Sequence, residues 1–142
     1  MRFAVVVSRD NLNITQGLLD GALETFRKNK IAAPKIVWVP GAFEIPLAVQ
    51  GLAQRKKYDA VLALGCILKG ETSHNHYIAE SMVHALMRIG LEQKIPVAFG
   101  VLTPNTLSQA RSRSSKGSAN KGMEAAEAAI EMAELFKRIQ HR

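Results

Sequence analysis

A chain of 142 residues has the usual length of one compact domain, and we expect residues 1–142 to fold around a single core. With 47% hydrophobic and 22% charged residues, and no apolar run near the roughly 20 residues that span a bilayer, the composition excludes a membrane protein. The 19 basic and 12 acidic residues give a net charge of +7, but the basic residues lie in separate groups without an aromatic cluster, which argues against nucleic-acid binding.

Four short apolar runs rich in β-branched residues predict β-strands. They cover residues 3–7, 36–39, 60–64 and 97–102. None of them alternates cleanly with polar residues, which indicates strands that are covered on both faces, as in a parallel sheet. Apolar residues at helical spacing predict four helices, which run from near Ile14, Ile45, Ile78 and Met123, and a short helical piece is expected near residues 107–113. This order predicts a single-domain, three-layer αβα protein of the flavodoxin-like type, with a central four-stranded parallel sheet.

The single cysteine, Cys66, excludes an intrachain disulfide and fits a reducing compartment. The apolar start of the chain is too short for a signal peptide and leads into no small-residue cleavage site. We therefore expect a cytoplasmic protein.

In such folds ligands bind beyond the carboxyl ends of the strands, and the loop after the second strand holds a suitable pair of side chains. Phe43 and Glu44 place an aromatic face beside a carboxylate, which suits a planar heterocycle that bears hydroxyl groups. The alternative is that Phe43 belongs to the core and Glu44 opens a helix.

The loop after the third strand, residues 70–74, precedes a predicted helix, so its backbone N–H groups are positioned to bind an anion. A plain helix start capped by Thr72 or Ser73 is the alternative. His74 could transfer protons at neutral pH, and His76 is an equally placed rival by spacing alone.

The basic stretch after the fourth strand, residues 111–121, is mixed with Ser and Gly and is the group that suggests anion binding. Arg113 could hold phosphate oxygens in a bidentate manner. The spacing matches neither a P-loop nor a Gly-rich dinucleotide fingerprint, and the scattered His residues with one Cys show no metal-ligand spacing.

Together these loops resemble the lumazine synthases over essentially the whole chain. Four segments carry the resemblance in the right order and spacing, and these are residues 39–46, 64–74, 96–103 and 120–122. The resemblance implies the condensation of 5-amino-6-(D-ribitylamino)uracil with 3,4-dihydroxy-2-butanone 4-phosphate in riboflavin biosynthesis, without a metal or organic cofactor. The alternative is a flavin- or lumazine-binding scaffold of the same fold with weak turnover.

The resemblance also implies roles for individual residues. His74 becomes the proton donor and acceptor, and the phosphate is held by Glu71, Thr72 and Arg113. The pyrimidine pocket contains the remaining site residues, which are Asp10, Ala42, Phe43, Glu44, Cys66, Ile67, Leu68, Phe99 and Lys121.

In this family the site lies between adjacent subunits of a pentamer, so Phe99, Arg113 and Lys121 are expected from the neighbouring subunit. A decamer, a 60-subunit shell and riboflavin synthase as a partner are further expectations. The first strand begins almost at Met1, and we expect no N-terminal arm. The family usually has an aromatic residue where this chain has Asp10, and loss of that ring stack is expected to cost on the order of 1 kcal/mol unless Leu12 or another side chain fills the place.

Overall fold

The computed structural model describes residues 1–69 and 74–140, and for His74 it describes the backbone. Within these described ranges, four strands and five α-helices follow one another along the chain. They are β1 (Phe3–Ser8), α1 (Leu12–Lys28), β2 (Lys35–Val39), α2 (Ile45–Gln54), β3 (Ala60–Cys66), α3 (His74–Gln93), β4 (Val97–Leu102), α4 (Leu107–Ser114) and α5 (Lys121–Gln140). A single 3₁₀ turn, Ala42–Glu44, precedes α2, and Pro46 lies in the first turn of that helix, where its missing N–H costs no hydrogen bond.

The four strands form one parallel sheet in the order β2-β1-β3-β4. The chain moves outward from β1 to β2 and then, in the opposite direction, from β3 to β4. The reversal opens a crevice at the carboxyl ends of β1 and β3, which is where ligands bind in open α/β sheets. The predicted four-stranded parallel sheet in an αβα sandwich is therefore confirmed.

Three strands are longer than predicted, and β2 differs only by Lys35 at its start. Ser8, expected in a loop, is the last residue of β1 and is fully buried. Gly65 and Cys66, also expected in a loop, pair with Val101 and Leu102 and so extend β3. β3 ends at Cys66 because β4 continues to Leu102 and pairs with it. A pairing with a distant strand cannot be predicted from the residues around Cys66.

Each face of the sheet carries its own core, because alternate residues of a strand point to opposite sides. In β1, Val5 and Val7 pack with helices α1 and α5 on one face. Ala4 and Val6 pack with helices α2 and α3 on the other.

Helices α1 and α5 approach closely because glycine occupies the contact. A Cβ atom on Gly122 would lie 1.8 Å from the carbonyl oxygen of Leu18, so only glycine fits there. Beside it, the buried side chain of Asn120 donates to the carbonyl groups of Gly17 at 3.0 Å and Ser114 at 3.0 Å. Its Oδ1 accepts from the backbone N–H of Met123 at 3.0 Å and caps the start of α5. One side chain thus joins α1, α4 and α5.

The outer edge of the sheet leaves apolar side chains exposed. A groove of about 310 Å³ lies between α3, β4 and α5, and we call it the β4-edge groove. Its exposed large side chains are Val83, Met87, Leu91, Phe99 and Met132. Scattered apolar residues are ordinary on a surface, whereas a contiguous patch usually marks a contact site.

Across residues 1–69 and 74–140, no helix is both long and apolar enough to cross a membrane.

Candidate functional site at the carboxyl ends of the strands

A pocket of about 390 Å³ lies at the crevice formed by the strand reversal. Loops that follow β1, β2 and β3 supply three of its walls, and the first turns of α3 supply the fourth. The described lining consists of Asp10, Asn11, Gly41, Ala42, Phe43, Glu44, Cys66, Ile67, Leu68, Asn75 and Ile78. Seven of the residues predicted to bind the pyrimidine are therefore brought together in one cavity, although their contact with a substrate stays a prediction.

Phe43 lies at the mouth of this pocket, and the residue is 69% exposed. The alternative that Phe43 belongs to the core is therefore wrong. Glu44 is half-buried and occupies the N-cap position of α2, although its side chain caps no backbone N–H there. An exposed ring beside an available carboxylate is the arrangement that the sequence predicted for a hydroxylated heterocycle.

Asp10 and Glu44 face each other across Gly41. A Cβ atom on Gly41 would lie 2.7 Å from Oδ2 of Asp10 and 3.3 Å from Oε1 of Glu44, so the two carboxylates converge on the space that a side chain would occupy. Leu12, the candidate to replace the missing aromatic stack, is exposed and does not line the pocket.

The floor of the pocket is apolar. Cys66 and Ile67 are buried and Leu68 is half-buried. Burial raises the pKa of the Cys66 thiol to about 11, so the sulfur is a neutral group at pH 7. Cys66 therefore contributes an uncharged wall against which a flat ring can rest.

Two asparagines hold the walls in place. The side-chain amide of Asn11 donates to the carbonyl oxygen of Cys66 at 3.2 Å. The side-chain amide of Asn75 donates to the carbonyl oxygen of Leu68 and ties the start of α3 to the segment after β3. Asn11, Gly41, Asn75 and Ile78 also line the pocket, but the sequence did not predict them as substrate-binding residues. Asn75 and Ile78 lie three residues apart on one face of α3, and this spacing could have identified them only once the start of α3 was known.

The two histidines that spacing could not separate lie in the same helix. His74 is the first residue of α3, close in sequence to the pocket-lining Asn75. His76 is exposed, its Nε2 lies 3.4 Å from Oε2 of Glu80, and it borders a different, shallow cavity that also includes Phe99. Glu71 and Thr72, predicted to meet the phosphate, lie outside the described residues.

Three predicted site residues lie away from the pocket of their own chain. Phe99 is on β4 and borders the β4-edge groove, and the residue is 47% exposed. Arg113 lies in the last turn of α4. Lys121 begins α5, where its Nζ lies 3.0 Å from a carboxylate oxygen of Glu124. None of the three lines the cavity that holds Asp10.

The described lining of the pocket contains two acidic side chains and no Lys, Arg or His. A phosphate group in this site would therefore need a cation or free N–H groups from elsewhere. Over the described ranges, no group of three or more His, Cys, Asp or Glu side chains is arranged to hold a metal ion.

A parallel αβα sandwich with a ring-and-carboxylate pocket at its strand reversal defines a class of small-molecule-binding α/β proteins. Within that class, the family model described as 6,7-dimethyl-8-ribityllumazine synthase matches residues 1–137. A protein of Kosmotoga olearia named 6,7-dimethyl-8-ribityllumazine synthase is 42% identical, and the match covers 99% of this chain and 91% of that relative. The chain belongs to the lumazine synthase family.

The predicted function, a lumazine synthase of riboflavin biosynthesis and thus a transferase, is confirmed at the level of the family. The alternative of a weakly active scaffold is not favoured.

Proposed function

We propose that the protein condenses 5-amino-6-(D-ribitylamino)uracil with 3,4-dihydroxy-2-butanone 4-phosphate and releases 6,7-dimethyl-8-ribityllumazine, phosphate and water. The observation that carries the proposal is the pocket at the strand reversal, where the exposed ring of Phe43 stands beside the carboxylate of Glu44. The ring suits a pyrimidine and the carboxylate accepts hydrogen bonds from hydroxyl groups.

The pyrimidine would lie over the apolar floor of Cys66, Ile67 and Leu68, with Ala42 against its edge. Its amine attacks the ketone of the sugar phosphate, and water leaves as the imine forms. Phosphate is then eliminated, and ring closure releases a second water. Formation of the conjugated product makes these steps favourable once the substrates are aligned. Alignment of the two substrates therefore supplies most of the rate acceleration.

His74 is the group we propose for proton transfer in these steps, because it begins α3 next to the pocket-lining Asn75. A histidine imidazole can both donate and accept a proton at neutral pH. Backbone N–H groups at Glu71 and Thr72 are proposed to hold the phosphate.

The active site is proposed to be shared between subunits of a pentamer. Among the described residues that line the pocket there is no cation, whereas Arg113 and Lys121 lie away from the pocket of their own chain. A neighbouring subunit can supply Arg113 to the phosphate and Phe99 and Lys121 to the pyrimidine. The exposed β4-edge groove, which includes Phe99, offers the apolar surface that a stable subunit contact needs.

A larger assembly, a partner and a cellular location are proposed for the enzyme as well. A decamer or a 60-subunit shell is the proposed larger assembly of the pentamer, riboflavin synthase is the proposed partner, and the cytoplasm is the proposed location. The free thiol of Cys66 is compatible with a reducing compartment.

Incubation of the purified protein with both substrates, followed by the fluorescence of the lumazine product, tests the activity. We expect product well above the spontaneous background, and a rate equal to background would refute the enzyme. Sedimentation velocity tests the assembly, and a species of one subunit at working concentration would refute the shared site.

A further inference from the structure

The carboxylates of Asp10 and Glu44 form a converging pair at the edge of the pocket. Oδ2 of Asp10 and Oε1 of Glu44 lie 2.7 Å and 3.3 Å from the position that a Gly41 Cβ would take. Both residues line the cavity, so the space between the two oxygens opens to a ligand. The absence of a side chain at Gly41 keeps that space free.

The loop that carries Asp10 is fixed on both sides. The backbone N–H of Arg9 donates to the carbonyl oxygen of Val39 at 2.8 Å, at the end of β2. The side chain of Asn11 donates to the carbonyl oxygen of Cys66 at 3.2 Å, at the end of β3. Asn11 itself has a φ of 57°, a left-handed conformation that turns the chain from β1 into α1. The residues on both sides of Asp10 are thus tied by hydrogen bonds to the ends of β2 and β3.

The chemistry of such a pair is selective. Ionised carboxylates only accept hydrogen bonds, and two of them side by side repel any additional negative charge. The described lining offers no Lys, Arg or His to neutralise them. A ligand group that is uncharged and carries several O–H donors satisfies both carboxylates, and its hydroxyl groups can bridge them with short charge-assisted bonds.

We propose that Asp10 is a specificity-determining residue that binds the polyhydroxylated chain of the pyrimidine substrate together with Glu44. The inference rests on the proposed function, since it assigns one end of the pocket to the ribityl group. Asp10 contributes hydrogen bonds to the ribityl chain of the substrate and makes no stacking contact with its pyrimidine ring.

The test compares Asp10→Asn with the unchanged protein on two ligands. The first is the ribitylamino-pyrimidine, and the second is the matching 6-ethylamino-pyrimidine, which keeps the ring and lacks the hydroxyl groups. The asparagine keeps the size of the side chain and removes its charge. We expect Kd for the ribityl compound to rise on the order of tenfold, with little change for the ethyl compound. Asp20→Asn, an exposed position on α1 with the same change of charge, should alter neither.

Gly41→Ala is the second variant. Gly41 has φ −150° and ψ 178°, which any residue can adopt, so the chain should still fold. Its methyl group would occupy the space between the two oxygens, and we expect selective weakening of the ribityl compound again.

Three outcomes overturn the inference. They are an unchanged Kd for the ribityl compound in Asp10→Asn, an equal loss for both ligands, and a wild-type protein that prefers the ethyl compound. A wild-type protein that binds the ribityl compound selectively but makes no product would refute the proposed activity alone, and the same binding comparison would still support Asp10.

Discussion

Asn11 and Cys66 join the two strands between which the sheet reverses direction. The side-chain amide of Asn11, just after β1, donates to the carbonyl oxygen of Cys66, the last residue of β3, at 3.2 Å. Asn11 also has a left-handed backbone conformation, with φ 57° and ψ 53°. One residue therefore sets both the turn into α1 and the width of the pocket at its base.

Substitution of Asn11 should separate these two contributions. Asn11→Gly keeps the left-handed conformation and loses the hydrogen bond, so the free energy of unfolding should fall by about 1 kcal/mol. Asn11→Ala also places an alanine in a left-handed conformation, which costs about 1 kcal/mol more. Urea denaturation measures both values, and equal stability of the two variants would contradict the role assigned to the backbone.

Gly122 and Gly51 provide a matched pair for the α1–α5 contact. In Gly122→Ala the new methyl group would meet the backbone of Leu18 at 1.8 Å, and overpacking of this kind should destabilise the protein by about 3 kcal/mol. Gly51, in the exposed part of α2, has nothing within 4 Å of its Cβ position. Gly51→Ala should therefore stabilise the fold by about 0.5–1 kcal/mol through its higher helix propensity. Midpoints of thermal unfolding that shift in the same direction for both variants would contradict this packing.

The buried thiol of Cys66 should make stability depend on pH in the alkaline range. Its pKa is raised from 9.0 to about 11 in the folded protein, so on raising the pH the unfolded chain loses this proton first. The stabilisation is complete below pH 9 and is lost as the pH rises toward 11, at up to about 1.4 kcal/mol per pH unit.

Cys66→Ala, which lacks the proton, is the reference for this measurement. The difference in unfolding free energy between the two proteins should be constant at neutral pH and should decrease above pH 9. Parallel curves throughout would show that the thiol titrates alike in the folded and unfolded chains.

The two histidines at the start of α3 should differ in kinetics. His74→Ala should lower kcat by about 10²–10⁴ if it carries the proton transfer. His76→Ala removes a solvent-exposed side chain that faces Glu80, and kcat should be unchanged. Steady-state rates on folded protein distinguish them, and equal losses would count against the assignment of His74.

Much of the fold could be predicted because the signals were local. Runs of β-branched residues such as Val5-Val6-Val7 predict a buried strand from composition alone. Residues 14–26 repeat apolar side chains at helical spacing and so predict a helix. The pocket was predictable for a related reason. Phe43 and Glu44 follow a strand directly, and parallel strands bring their carboxyl ends to one edge of the sheet.

The rest depended on contacts between distant parts of the chain. Asn120 bonds to Gly17 across 103 positions, so its role as a joint between helices cannot be read from its neighbours. The carboxylates of Asp10 and Glu44 likewise meet because β1 and β2 are adjacent in the sheet. From the sequence, Asp10 was interpreted as the loss of an aromatic residue that stacks on the substrate. In the structure its carboxylate lies beside that of Glu44.

The exposed apolar surface of the β4-edge groove should make the stability of the fold depend on the protein concentration. A single subunit exposes Met87, Leu91 and Phe99 together, and in the proposed pentamer each association event would remove that surface from solvent. On the proposed pentamer, mass action then adds the free energy of association to the free energy of folding. Dilution should lower the midpoint of thermal unfolding, so the thermal stability should depend on the protein concentration.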